Sequence, residues 1–311
     1  MNRSRFVSLA LVFVAAVPAR AAVDEETVTK LIEDLRSNKA SVRLIAVKEI
    51  ARIGPEAKKA IPALMATTKD ADDKVRLHSV FALKQMGDAA KSAVPALAAA
   101  LKDKNGEVRC VAADALGRLG PAAKSAVPAL AAALKDDESG PHAANALGRM
   151  GAEARAAIPE LTAALQEPAV RPHAAQTLGR LGAAGLPALT KALSDRDEEV
   201  RIDVVLALRL VGRDAVPVLV KALKDKNADV RANTCVALGK MGAEAKGAVA
   251  ALAGVLTDKN PAVRAQAAEA LGAIGPAAKS AAAALKEAKG DLVEAVRKAA
   301  AAALERVEGN K

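Results

Sequence analysis

A Val-Arg pair recurs along the chain, at Val42-Arg43, Val75-Arg76, Val108-Arg109, Val170-Arg171, Val200-Arg201, Val230-Arg231, Val263-Arg264 and Val296-Arg297. The gaps are 33, 33, 62, 30, 30, 33 and 33 residues. The gap of 62 is double. Ser139-Gly140 fills the missing slot, because Ala146-Leu147-Gly148 aligns with Ala115-Leu116-Gly117. Self-similarity at this period restricts the chain to a stack of small units, each burying its apolar face against its neighbours. There are nine such units.

Each unit reads as two helices. In the second, the B helix, the Val is position 0, and positions 4, 7, 8 and 11 are apolar almost everywhere, the 3.6-residue period of a helix with one buried stripe. A glycine at position 12 closes the first eight B helices (Gly54, Gly87, Gly120, Gly151, Gly182, Gly212, Gly242 and Gly275), the place of a left-handed cap. The A helix carries a proline at one equivalent place, as in Pro62, Pro95, Pro128, Pro159, Pro187 and Pro217, which starts or kinks a helix. Units of 33 residues have an extra turn before it. Position 7 is mostly alanine, which lets neighbouring helices sit close. Aromatics are 1% of the 311 residues, too few to fill one large globular core.

The "VRxxAAxALGxLG" and "AVPAL" patterns, repeated over about residues 24 to 308, resemble the short HEAT-like repeats of the phycobilin lyase type. The resemblance implies an all-α protein, a right-handed α-solenoid of about nine two-helix repeats, of an exported bacterial kind. It is specific for fold and not for lyase chemistry. Ankyrin shares the 33-residue period, but its Thr-Pro-Leu-His signature is absent. The resemblance also implies a ladder of acids and arginines joining repeats. Asp70, Asp103, Asp195, Asp225, Asp258 and Asp291 each lie six residues before a repeat arginine, and Asp136 and Glu167 hold the same slot after their A helices.

Residues 1–21 read as a secretory signal peptide. Arg3 and Arg5 form a basic start, Phe6 to Val17 an apolar run, and Ala19-Arg20-Ala21 a small-x-small cleavage pattern. The run is short for a membrane span. The expectation is therefore a single solenoid over 22–311, exported to the periplasm or secreted. The chain's formal charge of +10, less three arginines in that segment, leaves +7, much of it answered by the ladder. Cys110 and Cys235 lie about four units apart and should not meet.

Units four and five depart from the others together. Their A-to-B loops are two residues shorter, and each B helix begins on Pro-His, with His142, Asn145 and Arg149 in one and His173, Gln176 and Arg180 in the other at positions 3, 6 and 10. These positions share one edge of a helical wheel. Arg118 and Arg52 extend the row one way and Lys240 the other, a row suited to an anionic surface. Repeat drift on a solvated face is the plainer reading of the same residues. Two imidazoles, His142 and His173, hold a metal only with a third ligand, and none is evident. Two apolar patches fall at positions 2 and 6: Leu44, Leu77 and Phe81, and Ile202, Leu206 and Val236.

No Gly-rich phosphate loop, Cys-x-x-Cys or Ser-His-Asp context is present. The expected function is a non-catalytic protein-binding scaffold working through the concave face, with no cofactor, no metal and no membrane span once the signal is removed. A subunit of a lyase-like enzyme complex is the alternative. Nucleic-acid binding through turns such as Lys102-Asp103-Lys104 is a third reading, opposed by export and by the lack of aromatic stacking platforms.

Overall fold

The computed structural model describes residues 24–309, so the expected signal peptide and its cleavage point lie outside the described residues. Nine helix pairs follow one another, with no strand among the described residues. The first three pairs are α1 (Glu25–Asp34) with α2 (Ala40–Ile53), α3 (Ile61–Thr67) with α4 (Asp73–Met86), and α5 (Val94–Ala100) with α6 (Gly106–Leu119). The middle three are α7 (Val127–Ala133) with α8 (Gly140–Met150), α9 (Ile158–Ala163) with α10 (Arg171–Arg180), and α11 (Leu186–Ala192) with α12 (Glu198–Leu208). The last three are α13 (Val216–Ala222) with α14 (Ala228–Met241), α15 (Val249–Val255) with α16 (Pro261–Ile274), and α17 (Ala282–Ala288) with α18 (Glu294–Glu308). The even-numbered members are the B helices.

The core repeats as the sequence does. Leu64, Leu97, Leu130, Leu161, Leu189, Leu219, Leu252 and Leu285 are fully buried, one in each A helix from α3 on, against a B-helix residue such as Ile50, Leu116, Leu147 or Leu238. Each unit thus contributes one slice to a continuous apolar spine. The helix prolines sit at the first turn of the A helices, where a missing N–H costs nothing. A 3₁₀ stretch precedes each. It is seven residues long in the longer units, as at Gly120–Ala126, and three in the shorter, at Gly182–Ala184 and Arg213–Ala215.

Of the position-12 glycines, Gly54, Gly87, Gly120, Gly151, Gly212, Gly242 and Gly275 are not left-handed caps, whereas Gly309, which ends α18, is one. Gly120 has φ 55° and ψ −133°, and Gly242 has φ 55° and ψ −134°. Positive φ with strongly negative ψ is open to glycine alone. The chain there turns straight into the next 3₁₀ stretch rather than stopping, so the helical ψ of an ordinary cap is replaced by one that redirects the backbone.

Close approach depends on glycine as well as alanine. A Cβ on Gly117 would stand 2.9 Å from the Ala146 Cα, and one on Gly272 would stand 2.8 Å from the Ala303 Cα. Position 9 of one B helix therefore receives position 7 of the next. Neighbouring B helices touch along much of their length and neighbouring A helices at few points. Units joined in this way curve with the B helices on the inner, concave side.

The acid–arginine ladder is present, and it runs from each unit's arginine to the next unit's acid. Arg43 meets Asp70, Arg76 meets Asp103, Arg109 meets Asp136, Arg201 meets Asp225, Arg231 meets Asp258, and Arg264 meets Asp291. Each arginine also donates to a backbone carbonyl at the mouth of its own loop, as Arg76 Nη1 does to the Asp70 oxygen at 3.0 Å. Each acid accepts from its own loop, as Asp103 Oδ1 does from the Asn105 N–H at 2.9 Å.

Two rungs differ from expectation. Arg171 pairs with Asp197 at 3.1 Å, while Asp195 accepts from Gln166 at 2.9 Å. Glu167 meets no ladder arginine, because the arginine slot of unit four holds Gly140. A side chain would not fit there: a Cβ would stand 2.7 Å from Val170 Cγ2 and 3.0 Å from the Leu134 carbonyl. Units four and five are joined instead through the buried Thr177, whose hydroxyl donates to the Ala144 carbonyl at 2.7 Å.

Candidate functional site on the concave face

The six residues singled out in units four and five all lie on the inner edge of α8 and α10. Each helix has a proline as its second residue, Pro141 or Pro172, which needs no N–H partner in the first turn, and neither has a side-chain cap. His142, Asn145 and His173 are half-buried; Arg149, Gln176 and Arg180 are exposed.

The hydrogen bonds join neighbouring helices rather than residues of one helix. His142 Nδ1 lies 2.9 Å from Asp114 Oδ1 on α6, and Lys84 Nζ on α4 lies 2.7 Å from Asp114 Oδ2. Asn145 Nδ2 lies 3.4 Å from His173 Nδ1. In both cases position 6 of one unit meets position 3 of the next. Burial works against the ionised Asp114, but Lys84 and His142 outweigh it and hold its carboxyl below the ordinary range. The chain Lys84, Asp114, His142 crosses three units. Sequence reasoning missed Lys84 and Asp114. The clue available was the fixed offset that sets an acid at position 6 beside a histidine at position 3.

The two histidines face different partners, so the structure does not bring His142 and His173 together on one ligand. Among the described residues no group of three or more His, Cys, Asp or Glu is placed to hold a metal ion. His78, the third histidine at position 3, is pushed toward its neutral form by burial and by Lys48.

The arginines form the exposed part of the site. Arg180 lies across Gly148, its Cδ 3.5 Å and its Nη1 3.2 Å from where a Cβ would be. Arg149 lies across Gly117 and Arg118 across Gly87 in the same way, at 3.5 Å and 3.7 Å. The glycines thus leave room for the arginines to lie across the neighbouring helix while their side chains stay exposed. None of the three has an acid within ion-pair distance among the described residues. Three unpaired forks on consecutive helices, spaced by about 10 Å, make a short positive track. Arg52 pairs with Glu49 at 2.9 Å and is set apart from this track.

Both cysteines are free. Cys235 is buried, and burial pushes its thiol up to about 12. Cys110 is half-buried on the inner face, its thiol raised by burial and then by Glu138. No helix among the described residues is long and apolar enough to cross a membrane.

A family model described as HEAT repeats matches residues 26–94, 61–141, 141–209, 186–247 and 216–305. No curated protein matches the chain. Among solved structures, the karyopherin Kap121p superposes with a TM-score of 0.69 at 15% identity, over 92% of this chain and 38% of its own. Kap121p bound to the SUMO protease Ulp1p superposes with a TM-score of 0.70, again at 15% identity and the same coverage. The form bound to Nup53p gives 0.68 at 15% identity, also over 92% and 38%. The chain therefore spans about two-fifths of the length of that karyopherin, and the likeness is one of fold.

Proposed function

The chain belongs to the HEAT-repeat family, and from that premise we propose that it is a non-catalytic scaffold which binds a protein partner along its concave face. The observation that carries this reading is the track of Arg118, Arg149 and Arg180, three guanidinium groups held over glycines without acid partners. A folded chain answers most of its arginines, as the ladder does here. Three left unanswered side by side on the inner surface suit carboxylates supplied from outside. His142, Asn145, His173 and Gln176 line the same edge and orient the contact. The partner surface is accordingly anionic. Kap121p, a similar solenoid, is seen bound to other proteins, which supports a binding role for such a fold.

The short repeats resemble those of phycobilin lyases, but the unpaired arginine track favours binding over lyase-like chemistry here. We also propose export, with Ala22 as the first residue of the mature chain. Sequencing the N-terminus of the native protein tests that part; an intact Met1 would overturn it.

The binding role is tested by immobilising the chain as bait for an extract of the native host and repeating the capture with Arg149→Glu and Arg180→Glu together. Binding to the recovered protein falls at least tenfold, about 1.4 kcal/mol, with helical content unchanged. Undiminished binding at low salt shows the track to be ordinary solvated surface.

A further inference from the structure

Four of the surface cavities repeat one another. They lie between successive A helices, lined by residues such as Leu134 and Glu160, Leu193 and Lys221, Leu223 and Gly254, or Leu256 and Glu287. Such gaps open wherever the outer helices fan apart, so they follow from curvature. A fifth cavity, of about 340 Å3, is different. It lies on the inner face between α4 and α6, with Leu77, Phe81 and Val111 as its floor, Cys110 and His78 beside them, and Glu107 and Glu138 at its rim.

We infer that this cavity receives one large apolar side chain of the protein partner, next to a basic residue of the same segment that settles on Glu107 and Glu138. The inference rests on the proposal that the concave face binds a protein, and it names the second half of what that protein must present.

Three observations carry it. Phe81 is the one aromatic residue among those described, and it stands 39% exposed instead of filling the spine. Ile45, 64% exposed, lies at the inner edge of the preceding unit, so the apolar surface continues to the N-terminal end of the face. Exposed apolar clusters rimmed by charge mark protein contacts. Second, the cavity is not self-sealed. The half-buried Leu77 and Val111 and the exposed Phe81 leave an opening between two helices that otherwise touch along their length.

Third, the charges are sorted. Glu107 lies in the first turn of α6 and Arg118 in its last, so Glu107 and Glu138, the latter reaching Arg109 at 3.4 Å yet still largely exposed, stand at one end of the groove and the unpaired arginines at the other. Eleven residues of helix separate them, about 16 Å along the axis. An extended chain covers that distance in about five residues. A complementary segment therefore carries a basic residue and a large apolar side chain together, with acids about four residues beyond. A uniformly acidic ligand would satisfy the arginines but meet Glu107 and Glu138 with like charge.

The test uses the full chain and synthetic peptides. The first peptide is Lys-Phe-Gly-Ala-Gly-Glu-Glu, capped at both ends, together with the same sequence written backwards. The controls replace Phe by Ala, or exchange every Lys for Glu and every Glu for Lys. Binding is followed by fluorescence anisotropy and by protection of the Cys110 thiol from a maleimide, with the buried Cys235 as the unreactive reference. One of the two test peptides binds at least tenfold tighter than both controls and slows modification of Cys110. Val111→Asp removes that preference, and Glu107→Lys, which leaves the cavity intact, removes the advantage over the charge-exchanged control.

Equal binding of all peptides, or no binding at millimolar concentration, overturns the inference. So does a preference that survives both substitutions. If the preference survives neither substitution but is untouched by Arg118→Glu, the arginine at the far end of α6, the cavity stands and the contact with the arginine track falls. The opposite pattern retires the cavity and leaves the track.

Discussion

Arg76 and Asp103 face each other as two parallel forks, Nε to Oδ2 at 2.7 Å and Nη2 to Oδ1 at 3.0 Å, with the arginine only 5% exposed. The pair ties the B helix of unit two to the loop of unit three. Its third link, to the Asp70 carbonyl, closes the loop behind it. Charge-assisted bonds of this geometry are stronger than neutral ones, and removing one partner leaves the other buried and unanswered.

Asp103→Ala therefore lowers stability by about 2 kcal/mol, and Asp225→Ala by a similar amount. Lys104→Ala, one residue along and outside the ladder, changes little. Urea denaturation followed by circular dichroism measures all three. Coincident midpoints would remove the ladder from the account of stability.

The ladder also sets the acid limit of the fold. Hydrogen bonds from Arg43 and Arg231 hold the carboxyls of Asp70 and Asp258 below the ordinary value of 3.8. A carboxyl lowered in the folded state binds fewer protons there than in the unfolded chain. Its contribution is complete above the unfolded value and is lost as pH falls through the folded one. Urea midpoints stay level from about pH 8 to 5 and drop below about pH 4. Asp70→Asn combined with Asp258→Asn starts lower at neutral pH and falls less steeply in acid. A parallel fall in parent and variant would contradict this.

Asp203 has the opposite sign. Burial raises its carboxyl, with Arg171 acting against that and Glu199 and Asp197 adding to it. A carboxyl raised in the folded state stabilises below the unfolded value and loses that advantage as pH rises through the folded one. Asp203→Asn is accordingly more stable than the parent at pH 7, by a few tenths of a kcal/mol to about 1, and no more stable near pH 3. Thermal midpoints at the two pH values decide it.

Gly140 gives a steric prediction. Filling the arginine slot of unit four to complete the ladder fails, because the first carbon added meets Val170 and the Leu134 carbonyl. Gly140→Ala and Gly140→Arg both destabilise, by about 1–3 kcal/mol. A gain in the thermal midpoint of Gly140→Arg would show that the loop yields.

The units, their helices and their spine were legible because one requirement, burial of a stripe every 3.6 residues, is written into each unit separately. The ladder was legible as a family property, and its direction from unit to next unit came only with the structure. What depends on the crossing of two helices was not legible. Asp114 beside His142, and Asn145 beside His173, follow from an offset between units that no single unit contains. Asp197 in place of Asp195 depends on where one loop sets its carboxylates. The glycines at position 12 were visible, yet their ψ could not be read, because it depends on what the chain does next. The six residues of units four and five share one edge, but their bonds run sideways to other helices, which the wheel of one helix does not show.

The missing rung between units four and five has a mechanical meaning. Elements joined end to end under load deform most at the softest joint, since their compliances add. Six of the other seven junctions carry a bidentate or near-bidentate clamp at their loops and the seventh the single Arg171–Asp197 contact, whereas here only the Thr177 hydroxyl and the Asn145–His173 contact span the inner helices and no ion pair pins the loop side among the described residues. Bending of the spring concentrates at that joint, and because Arg149 and Arg180 stand on either side of it, a small change in bend alters the spacing between two cations more than anywhere else along the track.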